Sequence, residues 1–413
     1  MSKRVRGRVR VLPLVAVAML ALWPAGAGHN AYAQIRTDEE VIFFPSFGAR
    51  LPGEATWRLE IRGWIFELEM DSFVRAATLD VFRGFLDLDP DSTSTQLFEA
   101  RARMFLVDNE RGKRITVRLG ERRFELPESE PDGHFRGTLH LPSDEVNRLR
   151  RAGGNNRDML PFAAELPAGD TRRFTGVIHL IDPTGLSVIS DIDDTIKITE
   201  VQDRDALLAN TFLRDFRPAP GMAAVYRQWA AAGARFHYVS SSPWQLYEPL
   251  AEFIREGGYP AGTFHLKPFR VKDSGVTALF ESPEAYKREV IEPILDAFPR
   301  RRFILVGDSG EKDPEIYGAI AREHPRQIER IFIRNVTDEA PDAPRFLLAF
   351  ADLERGQWVV FDRPESLAPI TTRPATRPAR SGDSEWGAEK GAEKVSGSGK
   401  GAEKVSGAEK VSG

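Results

Sequence analysis

The stretch Ile189-Ser190-Asp191-Ile192-Asp193-Asp194-Thr195, an apolar run that stops at a cluster of acids, constrains this chain more than any other segment. Leu186, Val188 and Ile189 read as a short buried strand with Asp191 at its carboxyl end. In open α/β sheets, sites gather at the carboxyl ends of strands. Two acids one residue apart, Asp191 and Asp193, suit a nucleophile with an acid/base partner, or the ligation of a hard cation. Each has a plainer reading on its own: a D-x-D-x-T pattern occurs by chance, and Asp191 alone suits a helix cap.

Three further segments follow in order. Phe236-His237-Tyr238-Val239-Ser240 is an apolar strand ending in a hydroxyl, continued by Ser241, Ser242 and Pro243. Lys287 lies in the helical stretch Tyr286-Lys287-Arg288-Glu289-Val290-Ile291. Phe303-Ile304-Leu305-Val306 runs into Gly307-Asp308, with Asp313 five residues on. A nucleophilic Asp, a phosphate-binding hydroxyl, a charge-neutralising Lys and a metal-binding Asp form a complete set for phosphomonoester hydrolysis.

The order and wording of these segments resemble the haloacid dehalogenase-like phosphatases. Within them they resemble most the phosphatidate phosphatases related to the yeast actin-patch enzyme, and more distantly the lipins. The phrases that carry the likeness are Ser190 to Lys197, Tyr238-Val239-Ser240-Ser241-Ser242-Pro243-Trp244, Gly307-Asp308-Ser309-Gly310 and Asp313-Pro314-Glu315-Ile316-Tyr317. It is strong from about residue 170 to 350 and looser before that. The resemblance implies a Rossmann-like α/β catalytic domain with a parallel sheet and a Mg²⁺ cofactor. It implies Asp191 as the nucleophile that forms an aspartyl-phosphate, and Asp193 as the acid/base. Asp191, Asp193 (through its backbone carbonyl) and Asp308 would hold the metal, with Asp313 joining through water or holding the loop. Ser240, or Ser241 if the strand ends one residue later, would bind the phosphoryl oxygens together with Lys287. Lys267 and Lys272 compete with Lys287 but fall in an insert. Thr195 and Asp194 would support the first loop.

The opening reads as an export signal: Lys3, Arg4, Arg6, Arg8 and Arg10, then the apolar residues 11–23, then Ala31-Tyr32-Ala33 before Gln34. The apolar run is shorter than the ~20 residues that span a bilayer, so cleavage near Ala33 is expected over an uncleaved anchor. Nothing after residue 33 is long and apolar enough to span a membrane. Cleavage would remove five positive charges and no negative ones, taking the formal net charge from −4 to −9. Such an acidic chain is poorly suited to binding nucleic acid by electrostatics. With no Cys, disulfides and thiol chemistry are excluded, which fits an exported, periplasmic or secreted, protein.

Residues 34–180 read as a β-rich, sandwich-like domain, immunoglobulin-like in outline. Strands are expected at 41–44, 56–69, 103–107, 114–119, 134–141 and 173–180, with 73–87 open to a helix. From 181 to 365 buried strands alternate with amphipathic helices at 221–232, 245–256 and 285–298, which predicts a parallel sheet covered on both faces. A fourth strand falls at Ile331-Phe332-Ile333. Residues 366–413 turn to Thr-Arg-Pro-Ala and Gly-Ala-Glu-Lys repeats, a low-complexity tail expected to be disordered.

Only 44 residues separate Thr195 from Ser240, and the segment from Pro243 to Lys287 is of similar length. Neither leaves room for a large lid, and an open site suits a bulky substrate. Trp244, Tyr247, Phe264, Phe269 and Phe280 suit either lipid tails or the core. The leading expectation is a Mg²⁺-dependent phosphatidate phosphatase acting on a phospholipid at a membrane surface, yielding diacylglycerol and phosphate. The alternatives are the same chemistry on another phosphomonoester, or an inactive envelope-binding protein.

Overall fold

Strand Leu186–Ser190 is buried at every position, the pattern of a strand covered on both faces, and it anchors one of two large sheets. A computed structural model describes residues 35–50, 53–68, 79–80, 82–84, 86, 96–153, 158–269 and 284–367. The expected signal segment 1–33, the tail beyond 367, Lys272 and Phe280 lie outside the described residues.

The first sheet is built from β1 (Glu39–Phe44), β2 (Ser46–Arg50), β3 (Thr56–Glu67), β4 (Asp108–Asn109), β5 (Thr116–Leu119), β6 (Arg122–Glu125), β7 (His134–Pro142), β8 (Met159–Glu165) and β9 (Thr175–Ile181). These strands hydrogen-bond into one sheet, in the order β1-β3-β2-β9-β8-β5-β6 with β4 and β7 paired to β3. Where two separate packed sheets are expected from the sequence, a single one bends over its own core. Phe43 of β1 meets Phe135 of β7 at 5.7 Å and Phe162 of β8 at 4.8 Å. Residues 103–107 are not a strand: Arg103–Phe105 is a turn of 3₁₀-helix that follows α1 (Gln96–Ala102). Helix α2 (Ser143–Ala152) was not anticipated. Of 73–87, the described residues 79, 80, 82–84 and 86 are helical.

The second sheet is wholly parallel. It comprises β10 (Leu186–Ser190), β13 (Arg235–Pro243), β14 (Gly262–Lys267), β15 (Arg302–Asp308), β16 (Ile328–Arg334) and β17 (Trp358–Phe361). The two-residue strands β11 (Lys197–Ile198) and β12 (Arg217–Pro218) pair beside it. The order β14-β13-β10-β15-β16-β17 reverses direction at β10, so the carboxyl ends of β10 and β15 open the crevice where α/β sheets place their sites.

Alternate residues of each strand feed opposite faces. Leu186, Val188, Phe236, Tyr238, Ile304 and Val306 join the core on one face. Helices α3 (Arg204–Leu208), α4 (Met222–Ala231) and α5 (Tyr247–Glu256) contribute to that face, with Trp229 and Phe253 among their buried residues. Ile189, Val239, Phe303 and Leu305 join the core on the other. Helices α6 (Glu284–Ala297), α7 (Asp313–Glu323) and α8 (Pro344–Ala349) cover this second face.

The two sheets meet at the edge strand β14, where the Phe264 N–H donates to the Pro45 carbonyl at 3.2 Å. Phe44 stacks on Trp244 at 4.0 Å, so a single hydrophobic core runs from β1 into the α/β layer. Tyr247 and Phe264 meet at 5.2 Å, and Phe269 meets Phe105 at 5.6 Å. These aromatics, read from the sequence as lipid contacts or core, are spent on internal packing. No helix among the described residues is long and apolar enough to cross a membrane.

Candidate active site

Three strands deliver the predicted residues to one crevice. Asp191 leaves the end of β10 with its N–H bonded to the Val306 carbonyl, and its side chain is 1% exposed. Asp308 ends β15, and its Oδ1 accepts the Gly310 and Glu311 N–H groups at 2.6 and 3.1 Å. Asp313 opens α7, with Oδ2 on the Asp308 N–H at 3.2 Å. A Cβ on Gly307 would collide with that Asp313 oxygen, which is why the strand must end in glycine before Asp308.

Lys287, in the first turns of α6, is fully buried. Its Nζ lies 3.1 Å from Asp191 Oδ1 and 2.9 Å from Glu311 Oε2, and is also paired with Asp313. Burial alone would lower the lysine, but Asp191, Asp313 and Glu311 outweigh it and hold the ammonium well above its ordinary range. Lys267, the rival for this role, ends β14 outside the cluster.

Three carboxylates therefore pair with one buried ammonium, and Asp308 lies beside them. Burial, reinforced by Asp313, Glu311 and Asp308, pushes Asp191 well up despite Lys287. Burial, with Asp313, Glu311 and Asp194, pushes Asp308 up as well, and Glu311 rises chiefly by burial. Asp191 Oδ2 and Asp308 Oδ2 are buried without a hydrogen-bond partner among the described residues. Asp191, Asp308 and Asp313 each bring an oxygen within 4.8 Å of the others. Excess buried negative charge, oxygen-only donors and orphaned carboxylate oxygens together fit a hard divalent cation.

Asp193 faces elsewhere. Its Oδ1 pairs with Lys197 Nζ at 2.7 Å and accepts from Thr199 Oγ1 at 2.8 Å; its Oδ2 accepts from Ser240 Oγ at 2.8 Å and Ser242 Oγ at 2.9 Å. Burial would raise this carboxyl, but the Lys197 charge and these donors hold it down at about 2. Its side chain thus stands outside the three-carboxylate cluster, whereas Asp313, expected to join the metal through water or to hold the loop, is inside and also bonds the Asp308 N–H. Ser241 Oγ is buried and unpartnered among the described residues, while Ser240 is taken up by Asp193.

Asp194 holds the loop. Its Oδ1 accepts the Thr199 and Glu200 N–H groups at 2.8 Å each, and its Oδ2 accepts that of Val201 at 2.7 Å. Thr195 is fully buried beside it. Sequence reasoning missed Lys197, Thr199, Ser242 and Glu311. The first two belong to the same Asp-rich phrase and Glu311 to the Gly-Asp phrase, so a reading that followed each loop to its end would have found them. Lys197 is further fixed by the Phe216 ring, 4.7 Å from its Nζ, over which Arg101 also lies at 4.0 Å.

A parallel sheet that gathers three buried acids, a fourth acid and one lysine at its switch point defines a site for a reactive anionic group beside a cation. Residues 186–335 match the family described as the catalytic domain of phosphatidate phosphatase APP1. The phosphatidate phosphatase APP1 of Saccharomyces cerevisiae is 36% identical over 170 residues, 40% of this chain and 28% of its own length. An uncharacterised protein of Schizosaccharomyces pombe is 31% identical over 173 residues, 41% of this chain and 28% of its own. A solved structure from Thermotoga maritima, described as a β-phosphoglucomutase, aligns with 40% of this chain and 92% of its own at 15% identity and a TM-score of 0.25, too low to carry an argument. Over residues 186–335 the chain is thus similar to the catalytic domain of a phosphatidate phosphatase family. It spans little more than a quarter of the length of either fungal relative.

Proposed function

We propose that this chain is a Mg²⁺-dependent phosphatidate phosphatase of the haloacid dehalogenase type, releasing diacylglycerol and phosphate through an aspartyl-phosphate on Asp191. The observation that carries the reading is the convergence of Asp191, Asp308 and Asp313 around Lys287 with two carboxylate oxygens left unpaired.

Lys287 fixes Asp191 through Oδ1 and leaves Oδ2 free to attack phosphorus. As the P–O bond to the glycerol breaks, Asp193 gives its proton to the departing alkoxide. A phosphoryl group arriving in the crevice draws the Ser240 and Ser242 hydroxyls away from Asp193 and adds negative charge beside it, and both raise its affinity for that proton. In the second half Asp193 takes a proton from the water that attacks phosphorus, the bond to Asp191 breaks, and phosphate leaves. Ser241, with its free hydroxyl, is the second donor to the phosphoryl oxygens. Mg²⁺ held by Asp191, Asp308 and Asp313 supplies neutralisation of the charge on the phosphoryl group when bound.

The same proposal takes residues 1–33 as an export signal cleaved after Ala33 and 34–180 as a β-rich region. Residues 181–365 are the catalytic domain and 366–413 a low-complexity tail. The enzyme then works in the periplasm or outside the cell, on phospholipid at a membrane surface.

The test is phosphate release from phosphatidate in mixed micelles, with Mg²⁺ or with chelator, for the wild type and Asp191→Asn. Release that needs Mg²⁺ and falls to background in the variant is expected. Turnover of a soluble aryl phosphate without turnover of phosphatidate would discard the lipid and keep the hydrolase. Inactivity on both would overturn the reading.

A further inference from the structure

An arginine pair lies on the face that the nine-stranded sheet turns toward the catalytic layer. Arg62 of β3 and Arg136 of β7 are direct register partners, so their side chains stand together. On the same face, one register step along, Trp64 and His134 stack at 5.5 Å. His134 in turn lies 6.5 Å from Trp244, the residue that follows β13. The opposite face, with Ile61, Ile65, Phe135 and Leu139, is the core of the sheet.

Among the described residues neither guanidinium forms a hydrogen bond or an ion pair. The nearest acid along β3, Glu60, pairs with Arg58 at 3.4 Å; its charge also reaches Arg62, but without an ion pair. Both arginine charges act on His265 of β14, and that of Arg62 also acts on Tyr286. Tyr286 directly precedes Lys287 and feels its charge as well, so Arg62 is within electrostatic reach of that turn of α6. The Tyr286 hydroxyl is buried with no hydrogen-bond partner among the described residues.

Two like charges side by side, one of them half-buried, are unfavourable unless something of opposite sign joins them. Burial, then the Arg136 charge, pushes the Arg62 guanidinium down to about 10. From β10 the sheet steps to β13 and then to β14, roughly 4.8 Å each, which sets His265, on which both arginine charges act, two strands to the side of Asp191. An anion held there is a second one, beside the group under attack.

We propose that Arg62 and Arg136, with the Tyr286 hydroxyl, form a second phosphate-binding subsite beside the catalytic centre. Its ligand is a phosphate group, either that of a neighbouring phospholipid headgroup or a second phosphoryl group on the substrate itself. Guanidinium forks match phosphate oxygens in charge and geometry, and the phenol adds a donor. The role as a subsite rests on the phosphatase reading; the binding itself does not.

Binding of inorganic phosphate to the full-length protein, followed by calorimetry, tests this directly. Two phosphate sites are expected in the wild type. One should weaken about tenfold in Arg136→Gln, a surface change that leaves the fold undisturbed, and be lost in Arg62→Gln/Arg136→Gln. Arg62→Lys should retain part of the affinity. A single site in the wild type, or two unaltered sites in the double variant, overturns the proposal. Cosedimentation with phosphatidylcholine vesicles containing phosphatidylserine, which lacks a terminal phosphate, separates the sources. Loss in the double variant assigns the subsite to a neighbouring headgroup; unchanged sedimentation beside a lost phosphate site assigns it to the substrate's second phosphoryl group. A protein that keeps both phosphate sites yet turns over no phosphatidate would sink the lipid phosphatase reading and leave this one standing.

Discussion

Asp194 adopts φ 51°, in the left-handed region, and uses its carboxylate to hold three successive N–H groups of residues 199–201. Aspartate tolerates this conformation better than most residues, and the three bonds over-determine it. The held loop presents Thr199 to Asp193, so a backbone constraint is converted into the orientation of the Asp193 carboxylate. Asp194→Gly should lose the bonds but keep the conformation, and Asp194→Ala should lose both. Urea titration should find the alanine variant less stable than the glycine variant by about 1 kcal/mol. Both should fall at least about tenfold in kcat/KM on a phosphomonoester; wild-type activity in either would show that the clamp is not needed. A second expectation follows from the orphaned oxygens of Asp191 and Asp308. Acids crowded without enough cations destabilise the empty fold, and a bound divalent ion relieves them by mass action, about 2.7 kcal/mol at a hundredfold excess over Kd. Mg²⁺ should raise the Tm of the wild type and leave that of Asp308→Asn nearly unmoved. An equal rise in both would remove Asp308 from the cation site.

The junction of β15 with α7 puts the geometry of the acid cluster under the control of one missing side chain. A methyl group on Gly307 would press on the Asp313 carboxylate, which is tied to Lys287 and to the Asp308 N–H and cannot step aside. Overpacking of this kind costs about 1–3 kcal/mol, so Gly307→Ala should lower thermal stability and lose Mg²⁺ affinity together. Unfolding and Mg²⁺ titration would check it, and normal affinity in a destabilised protein would mean that the acids adjust independently of the strand. The strands at the site were legible because each is buried on both faces and reads as a largely apolar run halted by Asp or Ser. The N-terminal half was harder. Arg103–Phe105 follows a β-favouring pattern, yet Phe105 packs on Phe82 at 5.1 Å and Phe212 at 5.7 Å from a helical turn, tertiary packing that local propensity does not register. Strand β6 is mostly charged and exposed, and β8 carries Pro161, so neither announces itself. Helix α2 did have a signal, acids in its first turn and arginines in its last, that a scan for strands passes over. The Asp191, Lys287 and Asp308 set was readable from the phrases that resemble the phosphatase family, and the fold brings these residues together. That Asp313 joins the cluster while the Asp193 side chain turns to Lys197 depends on where two loops close, which spacing does not encode.

The seam between the two sheets makes the whole molecule sensitive to acid. His179 of β9, His237 of β13 and His265 of β14 lie along it, with the Phe47 ring 6.1 Å from His237 and 6.3 Å from His265. Thr263 Oγ1 lies 2.8 Å from His237 Nδ1 and 2.9 Å from His265 Nε2. Burial, then the charges of Arg301 and His179, pushes His237 down to about 3; burial, then Arg235, pushes His179 down to about 4. His265 is held well below its ordinary value by burial, Arg62, His237 and Arg136. An unfolded imidazole titrates near 6.5. Below that pH the unfolded chain takes up protons that the folded chain refuses, so stability is full above about 6.5 and is lost as the pH falls toward the folded values. At about pH 5 each such imidazole withdraws about 2 kcal/mol, and three together rival a sizeable part of the about 5–15 kcal/mol that holds a protein folded. The raised carboxyls of Asp191 and Asp308 act in the opposite sense, because their protonation relieves the crowded site, so the bare acid profile mixes both signs. Comparing the wild type with His237→Gln separates them, since the site acids are common to both. Urea unfolding at neutral pH and at about pH 5 should show the wild type losing about 2 kcal/mol more than the variant. Equal losses would mean that the seam opens enough to solvate its histidines, and that the two sheets are less tightly joined than the buried contacts of Phe44 and Phe47 imply.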